Sequence, residues 1–163
     1  MKPVDPATLL AQRLAIAVPA LLLGGAYISQ YAFGLFPCEM CWWQRYPHFA
    51  ALVLALVAAF APVRLAGLRR GAIALAALAI LASGAIGGFH AGVEYGWWEG
   101  ITGCASHVAS GGNALDNIMN APLVRCDVAP WSLFGISLAG WNFIISGAAG
   151  CAILALLSRR NAA

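Results

Sequence analysis

The chain has 163 residues, of which 62% are hydrophobic and only 9% charged, too little polar surface for a soluble domain of that length. Nine Lys and Arg against six Asp and Glu leave a net charge of +3. The basic residues are scattered at the ends of apolar blocks and form no basic face, which argues against nucleic acid as a partner and makes them topology signals. One compact domain fits the length; a second does not.

The first apolar block, Leu14 to Phe36, carries no charge and covers about 30 Å of hydrocarbon; it is longer than a signal-peptide core. A short polar turn at 37–45 follows, reading Pro37-Cys38-Glu39-Met40-Cys41-Trp42-Trp43-Gln44-Arg45. The second block runs from Tyr46 to Val63, its helix expected to open near Trp43 or Gln44 with Pro47 tolerated in the first turn. The third runs from Gly71 to Phe89 and the fourth from Ser132 to Leu157, and none of the four contains Asp, Glu, Lys or Arg. The expected fold is an all-α integral membrane protein, a four-transmembrane-helix bundle forming one domain over 1–163 in contact with the lipid bilayer.

Lys2, Arg13, Arg64, Arg69, Arg70, Arg159 and Arg160 lie at one set of block ends, and Arg45 and Arg125 at the other. That bias puts both termini in the cytoplasm. The outer face then holds the 37–45 turn and a long 90–131 loop, with Trp42, Trp43, Trp97, Trp98 and Trp131 at the interface, where indole rings serve as an aromatic belt or as ligand contacts. Within the loop, Asn113 to Ala121 reads as a short amphipathic helix with Leu115, Ile118 and Met119 on one face; an ordinary polar loop fits the stretch as well.

This topology places four of the five cysteines, Cys38, Cys41, Cys104 and Cys126, on the outer, oxidising side. Cys151, beside Gly147 and Gly150 in the fourth block, is expected to be a small packing residue at a helix contact. Spacing of three lets Cys38 and Cys41 meet within one helical turn, and a helix N-terminus together with Arg45 favours a Cys41 thiolate. A structural disulfide or half a zinc site fits the same spacing. Cys104 and Cys126 sit in a loop rich in Gly, Ser and Asn, where a structural disulfide is the main competing reading; even with His107 nearby the separation is not that of a zinc knuckle. Two pairs beside one membrane suggest a relay, because thiol-disulfide exchange moves electrons stepwise between sulfurs in reach of one another.

Taken together, Cys38 and Cys41 followed four residues later by Arg45, His90 at the outer end of the third block, and Cys104 with Cys126 ahead of Trp131 resemble the bacterial disulfide bond formation protein B family, across nearly the whole chain. That resemblance implies an inner-membrane enzyme that reoxidises a periplasmic thioredoxin-like dithiol oxidase of the disulfide bond formation protein A type. Its electrons would pass to ubiquinone or menaquinone from the membrane quinone pool. It further implies that the partner's thiolate attacks Cys104, that Cys126 is released to exchange with Cys38, and that Cys41 is left as a thiolate facing the quinone. Independently of the family, Arg45 at an apolar boundary is suited to stabilise that thiolate and a reduced quinone oxygen, or to anchor a lipid. His90 is a candidate quinone contact or proton source, and Glu94, one turn on, a candidate to orient it. The chain departs from the family in its loop pair, which the family often spaces more widely, and in Gln44, where the family can have an acidic residue. The vitamin K epoxide reductase group, also a four-helix redox bundle, has the two pairs in the opposite order. The competing reading of another class is a non-catalytic tetraspan scaffold braced by outer-loop disulfides.

Overall fold

The computed structural model describes residues 4–102, 105–106 and 123–159. Cys104, His107 and the expected helix over 113–121 lie outside these residues. Helix α1 spans Pro6–Ala32. Asp5 caps it by accepting the Thr8 N–H at 3.0 Å, and Pro6 takes the first turn, where no N–H is needed. It stops short of Phe36, because Gly34 adopts φ +66° and turns the chain. Helix α2 spans Glu39–Phe60 and starts earlier than the expected Trp43 or Gln44. The reason is local: the Cys38 sulfur accepts the Cys41 N–H at 3.2 Å, doing the work of a capping hydroxyl. Pro47 therefore lies well inside α2.

A 3-10 turn at Val63–Leu65 leads into α3, Ala66–Glu94. Two short antiparallel strands, β1 (Ala105–Ser106) and β2 (Leu123–Val124), follow. Ser132 was expected to open a helical block, but β3 (Ser132–Leu133) and β4 (Ile136–Ser137) form a hairpin there. Phe134 and Gly135 both take positive φ, the signature of a tight hairpin turn. Only then does α4 begin, Leu138–Ser158, capped by Ser137 Oγ, which accepts the Gly140 N–H at 3.1 Å.

The four helices are about 32 to 44 Å long at 1.5 Å per residue, enough for a hydrocarbon core. Helices α1, α3 and α4 are also apolar enough to cross a membrane. Helix α2 is more polar because its first three turns carry Gln44, Arg45 and His48, all buried. Helix α3 packs along both α2 and α4, and α1 closes the bundle against the same two. The shared core is built from small residues: Ala11 and Ala15 of α1, Ala51, Ala55 and Ala58 of α2, and Ala72, Ala76 and Ala77 of α3, with Ile73, Ile80 and Ile153 filling the gaps. Alanine rows of this kind let backbones approach closely where lipid removes the hydrophobic drive for helix association. Large apolar side chains such as Leu21, Phe60, Leu75 and Phe143 instead point outward.

At the end opposite the first cysteine pair, Arg70 donates to the Leu157 carbonyl and to Thr8, and lies 3.8 Å from Asp5, tying the start of α1 to the end of α4. Cys151 is exposed on α4, so it is not the helix-contact residue that its neighbours suggested. The preceding residue, Gly150, takes that position: a Cβ there would meet Leu81 Cγ at 2.4 Å.

Gly87 is a small position whose nearest neighbour is backbone, which cannot swing aside. A Cβ would lie 2.9 Å from the Ala139 carbonyl, 3.0 Å from Asn142 Nδ2 and 3.1 Å from Gln44 Oε1. Gly87→Ala is expected to cost about 1 to 3 kcal/mol by overpacking, read as a lower melting temperature in detergent. Gly24→Ala, where nothing lies within 4 Å, should match the wild type; equal melting temperatures for all three proteins would contradict this packing.

Candidate functional site

Five of the seven residues singled out from the sequence as reacting or quinone-contacting groups lie at one end of the bundle: Cys38, Cys41, His90, Glu94 and Cys126. Arg45, on the next turn of α2, lines the same cavity as Cys41, His90 and Glu94. The seventh, Cys104, lies outside the described residues.

The geometry follows from the cap of α2. Cys38 Sγ accepts the Cys41 N–H and also donates to Cys41 Sγ at 2.9 Å. The hydrogen bond to Cys41, and then burial, push the Cys38 thiol far above the ordinary range. The proton of the pair therefore stays on Cys38, and charge develops on Cys41, at the positive end of α2. Cys38 is 2% exposed and Cys41 is half-buried, facing the cavity.

Cys126 reaches this pair from the segment before the β3–β4 hairpin. Cys38 Sγ, His90 Nε2 and Cys126 Sγ lie within 4.8 Å of one another, all buried. His90 Nε2 is 3.6 Å from Cys38 Sγ and 3.2 Å from the Cys126 carbonyl, and Thr102 Oγ1 donates to Cys126 Sγ at 3.2 Å. Gln44 settles the tautomer. Its Nε2 donates to the Met40 carbonyl at 3.2 Å, so the group facing His90 Nδ1 at 2.9 Å is an N–H and Nδ1 must accept. The ring proton is on Nε2. Three such groups suggest a metal site, but a protonated Nε2 offers no lone pair, so His90 is poorly prepared as a ligand. Glu94 Oε1 lies 3.8 Å from Nε2, farther than the Gln44 and Cys126 contacts that orient the ring.

Arg45 is 6% exposed. Its guanidinium donates to Gln30 Oε1 at 2.7 Å and to the Ala26 carbonyl at 3.3 Å. The Tyr27 and Trp42 rings each lie 4.9 Å from its Cζ. Helix α1 thus satisfies the cation with neutral groups and leaves its charge uncancelled, as an apolar boundary permits only at a cost.

Beside Cys41 and Arg45 opens a cavity of about 420 Å³. Leu21, Leu22, Leu35, Phe36, Trp131 and Trp141 form its apolar wall, and Cys41, Gln44, Arg45, His48, His90, Glu94 and Asn142 its polar side. Glu94 Oε2 and His48 Nδ1 are buried there without a hydrogen-bond partner among the described residues. An apolar sleeve ending in a few convergent polar groups suits a largely apolar small molecule with polar atoms at one end. Trp97 and Trp98 sit elsewhere: Trp98 lies over Gly92, stacks on Phe89 and donates to its carbonyl at 2.9 Å.

Motif and spacing alone do not single out Asn142, Ser83, Gln30, Tyr27 or His48. Asn142 was the most findable, as a lone amide in an otherwise apolar block. Gln30 and Tyr27 carry no comparable signal, because only the folded chain brings the end of α1 against Arg45.

The sequence model of the family described as "Disulfide bond formation protein DsbB" matches residues 9–157. Among curated proteins, the chain is 33% identical over 157 residues to "Disulfide bond formation protein B" of Verminephrobacter eiseniae, covering 90% of this chain and 83% of that one. It is 31% identical over 148 residues to the protein of the same name from Azoarcus sp., covering 87% of each. It is also 31% identical over 143 residues to "Disulfide bond formation protein B 2" of Pseudomonas syringae, covering 80% of this chain and 77% of that one. No solved structure gives a significant match.

The proton placement has a direct consequence. In the fully reduced protein, iodoacetamide should modify Cys41 about tenfold or more faster than Cys38 between about pH 6 and 8, since the thiolate is the nucleophile. Peptide mass spectrometry over a time course reads the order; Cys38 reacting first would contradict it.

Proposed function

The chain belongs to the disulfide bond formation protein DsbB family and is a bacterial membrane protein of disulfide formation, and from that premise we propose that it oxidises a periplasmic thioredoxin-like dithiol oxidase and passes the two electrons to a membrane quinone. The observation that carries this reading is Cys126 lying within 4.8 Å of Cys38 while Cys41 lines an apolar cavity. The loop pair and the helix-mouth pair are then two stations on one path.

In this reading all four helices cross the inner membrane, both termini are cytoplasmic and the cysteines face the periplasm. The seven basic residues counted at one set of block ends support that orientation. Helix α2 crosses despite its polar first turns, because they face the bundle interior.

The chemistry is a sequence of exchanges. A partner thiolate attacks Cys104 in a Cys104–Cys126 disulfide, releasing Cys126 as a thiolate. Cys126 attacks Cys38, the sulfur it faces, forming a Cys38–Cys126 bond and releasing Cys41. The proton preference of the pair makes Cys41 the better leaving group. Cys41 emerges at the cavity wall, where Arg45 supplies positive charge and the helix N-terminus supplies more.

Cys41, Arg45, His90 and Glu94 would hold the quinone head, with His48 and Asn142 on the same polar side, and the Leu and Trp wall would exclude water. When bound, a quinone supplies a two-electron sink of high potential. Arg45 favours the negative form of whatever oxygen faces it, and its fixing by Gln30 and Tyr27 spares any reorganisation when that charge appears. Ubiquinone and menaquinone both present ring oxygens to these groups.

The test is quinone reduction by the detergent-purified, oxidised protein supplied with a reduced thioredoxin-like partner. Cys41→Ser and Cys104→Ser should each abolish turnover. Arg45→Met should lower it by about tenfold to a hundredfold, as expected for loss of a charge-stabilising group. No turnover by the wild type with either quinone would overturn the proposal and leave a braced scaffold as the better account.

A further inference from the structure

Beneath the cysteines a chain of buried side chains runs from α2 to α4 and back, and two backbone carbonyls fix its direction. Asn142 Nδ2 donates to the Ser83 carbonyl at 3.2 Å and to Gln44 Oε1 at 2.9 Å. A carbonyl brings no proton, so the nitrogen end of Asn142 must face it and the oxygen end must face away. That Oδ1 receives Ser146 Oγ at 2.8 Å and His48 Nε2 at 3.0 Å, so the proton of His48 is on Nε2. The Met40 carbonyl fixes Gln44 in the same way. Every link then points one way: His48 to Asn142, Asn142 to Gln44, Gln44 to His90, and His90 to the Cys126 carbonyl.

We infer that Gln44, held by Asn142 and the Met40 carbonyl, is a positioning residue for exchange between the two cysteine pairs: it fixes the His90 proton on Nε2, and His90 donates that proton in a hydrogen bond to the Cys126 carbonyl, setting Cys126 beside Cys38. The inference deepens the relay and rests on it. Carboxamides pass protons poorly, so the chain orients rather than conducts. Aligned hydrogen bonds polarise one another, and in a dry interior each is costly to lose. No link reverses without breaking a bond to Met40 or Ser83.

The step served is balanced within the protein. The Cys126 thiolate attacks Cys38 Sγ of the Cys38–Cys41 disulfide, a Cys38–Cys126 bond forms, and the electron pair of the broken bond leaves on Cys41. Nothing is oxidised overall. The groups facing His90 are Glu94 on its own helix, Cys38 and Cys41 from α2 and Cys126 from the loop segment, with Arg45 on the same cavity. Among the described residues, α4 bears on His90 through the neutral Asn142, by way of Gln44.

Two substitutions separate positioning from bulk. In Gln44→Glu the ionised carboxylate has no proton to give, so neutral His90 beside it must carry its proton on Nδ1, and only the doubly protonated ring keeps a donor toward Cys126. Gln44→Leu removes the donor without adding charge. Both are made in a Cys104→Ser background, where Cys126 is a free thiol and no external reductant is needed. Exchange is then read as the rate of Cys41 release, trapped by iodoacetamide and mapped by mass spectrometry. Relative to the parent at each pH, exchange in the Gln44→Leu protein should be about tenfold slower throughout, the scale of one lost hydrogen bond. With Gln44→Glu it should approach the parent at acid pH and fall about tenfold as the imidazolium deprotonates. Nitrogen-15 spectra of histidine-labelled protein, assigned with His90→Phe, should show Nε2 protonated in the parent and Nδ1 protonated in Gln44→Glu above that transition.

A His90 tautomer unmoved by Gln44→Glu, or moved with no change in exchange, overturns the inference. Equal pH-independent slowing in both variants also overturns it, since that is what a packing role gives. If the parent forms no Cys38–Cys126 bond, the relay itself fails and this inference with it. If the parent forms the bond and the variants match it, only this inference falls.

Discussion

The 2.9 Å hydrogen bond from Gln44 to His90 is the contact on which the rest of the site depends. Inside an apolar bundle, a polar side chain cannot turn to water for a partner, so its neighbours decide which of its atoms donate. Gln44 is caught between the Met40 carbonyl below and Asn142 across the bundle, and this leaves His90 one tautomer. The tautomer leaves the Cys126 carbonyl one donor, and the hydrogen bond between the two sulfurs, together with burial of Cys38, gives Cys38 and Cys41 different protonation tendencies. The chemical asymmetry between two adjacent sulfurs thus begins with their own contact and the burial of Cys38, before any charged residue is counted.

The fold serves this arrangement by keeping two helix pairs close. Asn142 reaches Gln44 only because α3 presents Gly87 between them, where any Cβ would collide with both amides and with the Ala139 carbonyl. Gly84 does the same one turn earlier against Ser146. Alanine rows bring α1, α2 and α3 together further along the bundle, and Arg70 ties off the far end. Large side chains are spent on the outside, and the interior holds small residues and a polar string. That inversion of the soluble pattern is what a lipid solvent selects.

Much of this was legible in the sequence. Four uncharged blocks implied a helical membrane protein, and three of the observed helices carry that signature outright. The cysteine spacing and Arg45 marked the reacting end. What escaped was mostly capping and partnership. No local signal marks Cys38 as the cap of α2, which pulls the helix start back from Trp43 to Glu39. The stretch from Ser132 is apolar enough to pass for helix, yet Phe134 and Gly135 turn it into a hairpin. Cys151 and Gly150 are neighbours in sequence, and a helix rotates about 100° per residue, so only one of them meets α3. Glu94, expected to orient His90, lies beside it, while the closer bonds come from Gln44 and the Cys126 carbonyl, partners far apart in the chain.

The relay requires that Cys126 and Cys38 can bond directly. In a Cys41→Ser, Cys104→Ser protein those two are the only cysteines left besides Cys151, which faces outward from α4. Mild oxidation of that protein with diamide, followed by non-reducing peptide mapping, tests the contact without partner or quinone. The account predicts an intramolecular Cys38–Cys126 disulfide in most molecules. Cys38 and Cys126 remaining reduced, or pairing only between molecules, would contradict it and separate the two cysteine pairs into independent braces.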